Sequence, residues 1–131
     1  PFQEVLQQVK EGAYEQMITR QLQERQDFHY PPFYRLIRII FKHKELQRIN
    51  ESSHWFAESL RLGLSSHGVE VLGAEFPSIS RIRNEYIKHI LLKIPPKLSL
   101  SWVKEYILRL EQRFFSVAAF RAVQLSYNVD I

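Results

Sequence analysis

The sequence predicts an α+β domain in which one antiparallel sheet carries two helices on one face. Three observations predict it. Apolar residues alternate with period two at 33–43 and 123–129, a long strand-like run covers 84–94, and a short apolar run stands at 69–72. Stripes at helical spacing fall after the first strand and again before the last. Prolines and glycines sit at the joints between these runs. The resulting order, β-α-β-β-α-β, is the split βαβ, ferredoxin-like pattern. Two short helices precede it.

Phe2, Val5, Leu6 and Val9 recur at helical spacing, with Gly12 as a C-cap. Tyr14, Met17, Ile18 and Leu22 form a second amphipathic stretch with little of its own to pack on. Tyr30-Pro31-Pro32-Phe33 ends the helical region, because proline cannot continue a helix and pushes the residue before it to extended geometry. In the strand that follows, Phe33, Ile37, Ile39 and Phe41 share one face. Tyr34, Arg38 and Lys42 lie on the other, with Leu36 and Ile40. A helix from about 46 to 62 presents Leu46, Ile49, Phe56, Ala57 and Leu60, with Gly63 as its stop. Val69–Leu72 is a short strand ending at Gly73, and Pro77 with its neighbouring serines marks a loop or edge. A long strand from Asn84 to Ile94 closes at Pro95-Pro96. Leu100, Val103, Ile107, Leu110 and Phe114 make the second helical stripe, capped by Ser99 or Ser101. Val123, Leu125, Tyr127 and Val129 alternate as the last strand.

At 131 residues, 45% hydrophobic and 13% aromatic, the chain suits one folded domain with its own core. It has no cysteine, which excludes disulfides and thiolate zinc sites and fits a reducing cytoplasm. No apolar run approaches the roughly 20 residues needed to span a bilayer, and no secretory leader pattern is visible. The chain starts at Pro1 and reads as an excised fragment. A net charge of +4 is a mild bias toward anionic partners.

Catalytic signatures are missing. There is no phosphate-cradling glycine loop among the four glycines, and the five histidines (His29, His43, His54, His67, His89) fall in no metal spacing. Ser65-Ser66-His67 has no oxyanion or nucleophile-elbow sequence around it. Positive charge concentrates in two stretches. One holds Arg35, Arg38, Lys42, His43 and Lys44; the other holds Arg81, Arg83, Tyr86, Lys88, Lys93 and Lys97. Arg83 opens the long strand, and Tyr86 and Lys88 share one of its faces, so a ring beside cations can stack on a base while the cations meet phosphates. The same residues also read as a solvated sheet face that keeps edges soluble, with Arg81 and Arg83 as the ends of an ordinary loop. Lys93 to Lys97 leads into a helix N-terminus, which suits a carboxylate or phosphate or is plain capping with solvated lysines.

The run Leu22-x-x-Arg25-x-x-x-x-Tyr30-Pro31-Pro32-Phe33-x-Arg35-Leu36 resembles the junction between the motor and the C-terminal domain of the primosomal protein N′ (PriA) family, bacterial replication-restart helicases. Val71-Leu72-Gly73, Arg81-Ile82-Arg83-Asn84-x-Tyr86, Ile90-Leu91-Leu92-Lys93 and Asn128-Val129-Asp130 continue the likeness in order. It departs at Ala74, where such proteins often have proline, at Gln21, where an acidic residue is common, and at Ile131, where proline is usual. The resemblance implies residues 1–32 as the end of the motor region and residues 33–131 as a non-catalytic C-terminal docking domain. The parent would be an ATP-dependent 3′→5′ DNA helicase whose ATP, magnesium and structural zinc sites lie upstream, with no cofactor in this segment. Implied partners are fork and single-stranded DNA, single-stranded DNA-binding protein, the upstream helicase domains and other primosome proteins, in a cytoplasmic, nucleoid-associated setting and with no membrane. Arg35, Arg38, Arg81, Arg83, Tyr86 and Lys88 are the residues expected to serve DNA. Lys97 and Ser101 are expected to hold the acidic partner tail, where the family has Arg and Gln, with Lys93 as a substitute cation. Three rival readings stay open: a structural brace for the motor, a small acylphosphatase-like hydrolase using Arg83-Asn84, and an RNA-binding module, whose aromatic sheet motif is missing.

Overall fold

The computed structural model describes residues 16–24, 33–76 and 81–130. The expected first helix with its Gly12 cap, the Tyr30–Pro32 hinge and the Pro77 loop lie outside the described residues. A helix over 16–24 (α1) comes first. Its Met17, Ile18 and Leu22 stand 49%, 36% and 42% exposed, so its apolar stripe is uncovered.

The rest follows as β1 (Arg35–His43), α2 (Leu46–Leu64), β2 (Glu70–Glu75), β3 (Arg81–Ile82), β4 (Glu85–Ile94), α3 (Leu100–Ser116) and β5 (Gln124–Val129). The sheet order is β2-β4-β1-β5, with β3 paired to β4 as a hairpin. All four ladders are antiparallel. This is the split βαβ arrangement that the period changes predict, with β3 added where a loop or edge was expected.

Period two decides which side of β1 is buried. Ile37, Ile39 and Phe41 are 0–2% exposed and face α2 and α3. From the helices come Ile49, Phe56, Ala57, Leu60, Val103, Ile107, Leu110 and Phe114, all at 4% or less. Phe41, Phe56 and Phe114 meet edge to face with centroids 5.5–6.1 Å apart. Phe120 stacks on Phe114 at 5.0 Å. Each such buried ring contributes about 2–3 kcal/mol by area alone. Leu46 is 43% exposed and takes no part in this core.

Gly63 does not stop α2. The helix runs past it to Leu64, continues as a 3₁₀ turn over Ser65–His67, and ends at Gly68 in the left-handed region, φ +84°. Gly63 has another task. A Cβ there would stand 1.8 Å from the Tyr106 hydroxyl oxygen, so the missing side chain lets α3 lay Tyr106 against α2. The Tyr106 hydroxyl donates to the Ser59 carbonyl at 3.1 Å. β2 likewise passes through Gly73 (φ +104°) where a Cβ would meet the His89 carbonyl at 2.8 Å; the register of β2 on β4 shifts there.

Candidate nucleic-acid and partner interface

Both helices pack on one side of the sheet, and alternation assigns the other side. Leu36, Arg38, Ile40 and Lys42 point away from the core strand face. In β4, Leu91, His89 and Ile87 stand opposite Arg38, Ile40 and Lys42; in β5, Asn128, Ser126 and Gln124 do so. The middle of this open face therefore holds Arg38 and His89, diagonal neighbours on adjacent strands, with Asn128 and Ser126 beside them. Arg38 Nε is buried and has no hydrogen-bond partner among the described residues. Burial, and then the Arg38 charge, hold the His89 imidazole below the usual histidine range, with Glu75 opposing. Leu36 and Ile87 are buried on this side too, so polar groups sit in an apolar frame. Sequence reasoning missed His89, because only the β1–β4 register shows it diagonal to Arg38.

The structure divides the expected DNA residues. Tyr86 and Lys88 share a face, as their spacing predicts, but it is the side that carries Ile90 and Leu92 into the core, opposite to Arg38. Lys88 Nζ lies 4.8 Å above the Phe76 ring, and burial lowers its pKa. Arg83 does not open β4. Arg83 and Asn84 are the exposed two-residue turn of the β3–β4 hairpin, with φ +52° and +64°, the geometry of a type I′ turn. Arg81 pairs with Tyr86 in that hairpin. Arg35 is engaged at the far end of the sheet. Its guanidinium grips the Asp130 carboxylate, Nε at 2.6 Å, while the Leu36 N–H donates to the same carboxylate at 3.0 Å. This clasp ties the end of β5 to the start of β1 and holds the Asp130 carboxyl below the usual carboxylate range.

The expected partner residues divide as well. Lys93 is 7% exposed and stands across from Glu70. Lys97 and Ser101 are exposed at the N-terminus of α3. Ser99 is the cap there, its hydroxyl accepting the backbone N–H of Trp102 at 3.3 Å. Trp102, 38% exposed, is the residue missed at this corner. His67 packs on it at 4.6 Å and Tyr106 stacks behind it at 6.1 Å. A surface tryptophan in the first turn beside two expected contact residues is a signal the sequence did contain.

Among the described residues no group of three or more His, Cys, Asp or Glu could hold a metal ion. With no cysteine in the chain, thiolate ligation of a zinc is excluded. No helix among them is long and apolar enough to cross a membrane. An apolar cavity of about 200 Å³ lies between α3 and β5, lined by Ile37, Ile107, Leu108, Tyr127 and Val129, with Lys104 among its walls.

Fold and surface define the class: a ferredoxin-like α+β domain with one sheet face left uncovered by its helices. A de novo designed protein, Foldit4, shares the fold at a TM-score of 0.52 and 14% identity, over 75% of this chain and 97% of its own. Residues 26–130 match the family described as primosomal protein N C-terminal domain, and the chain belongs to that family. It is 29% identical over 84 residues to the replication restart protein PriA of Treponema pallidum (strain Nichols). That match covers 64% of this chain and 13% of the relative.

Proposed function

We propose that this domain serves replication restart as the non-catalytic docking unit of a PriA-type helicase, in the bacterial cytoplasm, and that it meets fork or single-stranded DNA through its open sheet face. One observation carries the reading. The ion pairs among the described residues use Arg35, Arg48, Arg61 and Arg109, whereas Arg38, Lys42 and Arg83 have no carboxylate within ion-pair distance there. Uncompensated cations on a face and on the hairpin at its edge are what a phosphate backbone neutralises. Arg38 and Lys42 form the track, and Arg83 extends it at the tip of the hairpin. Tyr86 and Lys88 brace that hairpin from the helix side, and Arg35 orders the sheet end. Replacing Arg81 and Arg83 by Glu tests the track. The substitution should weaken fork-DNA binding at low salt, and unchanged affinity would remove the hairpin from the interface.

A second contact is favoured by the α3 corner. Lys97, Ser101, Trp102 and His67 combine a cation, a free hydroxyl and an exposed aromatic pair at a helix N-terminus, which suits an acidic tail with a terminal aromatic residue, as in single-stranded DNA-binding protein. Titrating such a tail peptide should change Trp102 emission, and Lys97→Glu should abolish the change. The uncovered stripe of α1 suits the preceding helicase domains, and other primosome proteins complete the assembly.

A further inference from the structure

We propose that Arg38 and His89 together form a single phosphate site at the centre of the open face, which takes up a proton when a phosphate group enters. The inference rests on the nucleic-acid reading and names the atoms that would meet the strand. Two independent features of the geometry carry it. Arg38 Nε is buried yet meets no acceptor among the described residues, and its N–H is left in a site where an unmade hydrogen bond is costly. His89 stands two residue pairs along the same ladder, diagonal to Arg38 on the same face and close enough to feel its charge.

The charges around His89 set the direction of the coupling. From β1, Ile40 lies opposite it with Arg38 and Lys42 on the two diagonals; from β2, Glu75 lies opposite it; its own strand adds Glu85 and Lys93 on that side. The neighbouring β5 positions, Gln124, Ser126 and Asn128, carry no charge. Burial and Arg38 keep the imidazole neutral in the free protein, Glu75 only partly offsetting them. A phosphodiester accepts from the Arg38 guanidinium and its charge cancels the guanidinium field on His89. The imidazole then binds a proton and becomes a second donor to the phosphate. No covalent bond changes; the proton comes from solvent. Binding therefore strengthens as pH falls through the histidine range, by at most about tenfold per pH unit for one proton.

The test uses the whole 131-residue chain and a labelled thymidine oligonucleotide, with anisotropy read at about pH 7.5 and 6 at constant ionic strength. Wild type should gain about threefold or more in affinity at the lower pH. His89→Gln should keep binding near the higher-pH level and lose the gain. Arg38→Gln should weaken binding at both. An undiminished gain in His89→Gln overturns the site while leaving DNA binding intact. If wild type binds no oligonucleotide at either pH, the nucleic-acid reading fails, and the His89 ring titration followed by NMR with pyrophosphate decides the site alone. An upward shift of its midpoint supports the site; an unmoved midpoint overturns it.

Discussion

Replacing Gly63 by alanine should destabilise this domain, although the same change in most helix interiors stabilises by about 1 kcal/mol. The new Cβ would fall 1.8 Å from Tyr106 Oη, 2.2 Å from Cζ and 2.7 Å from Cε2. No small adjustment clears three such contacts, so the ring must leave its seat. It then loses its bond to the Ser59 carbonyl, about 1 kcal/mol, and its fit between the helices, about 1–3 kcal/mol. Against the helix gain, the net loss is about 1–3 kcal/mol. The assay is a double-mutant cycle by urea unfolding with Gly63→Ala, Tyr106→Ala and both. In the Tyr106→Ala background the obstacle is gone, so Gly63→Ala should stabilise by up to about 1 kcal/mol. Tyr106→Phe should not rescue, since Cζ remains. A stabilising Gly63→Ala in the wild-type background would refute the close approach of α2 and α3.

Further expectations follow from single contacts. Asp130 has a depressed carboxyl pKa, so its clasp stabilises fully above the unfolded value of about 3.9 and fades as pH falls through the lower folded value. Thermal melts from about pH 5 down to 3 should show wild type losing more stability than Asp130→Asn; parallel curves would deny the clasp a role. Ser99→Ala should cost about 1 kcal/mol by loss of the α3 cap, measured by urea unfolding, whereas Ser101→Ala should be near neutral. Converting Arg83-Asn84 to Asn-Gly should raise stability by about 1 kcal/mol, because that pair suits a type I′ turn, and a lowered melting temperature would contradict the turn assignment.

Much of the fold was legible because it rests on local periodicity. Ile37, Ile39 and Phe41 alternate, and Val103, Ile107, Leu110 and Phe114 repeat at helical spacing, so burial of each set follows from geometry within one element. What was not legible depends on a partner distant in sequence. Gly63 resembles a helix stop until Tyr106 is seen occupying its missing side chain. Arg83-Asn84 lacks the glycine that usually announces a two-residue hairpin. Tyr86 and Lys88 were correctly paired on one face, but which face needed the register with Phe41 and His43. The same register brings His89 to Arg38, which no spacing within β4 reveals. Arg35 is cationic in the sequence and occupied in the fold, since Asp130 lies at the other end of the domain's chain.

The central claim is that the open sheet face receives a phosphate backbone. Its most direct test is fluorescence anisotropy of the domain on labelled fork DNA across a salt series, for wild type and for the Arg38→Glu, Lys42→Glu pair. Wild-type affinity should fall steeply with salt, and the double reversal should weaken binding by tenfold or more and flatten the salt slope by about 2. Equal affinity and equal slope for both proteins would show that DNA does not touch this face.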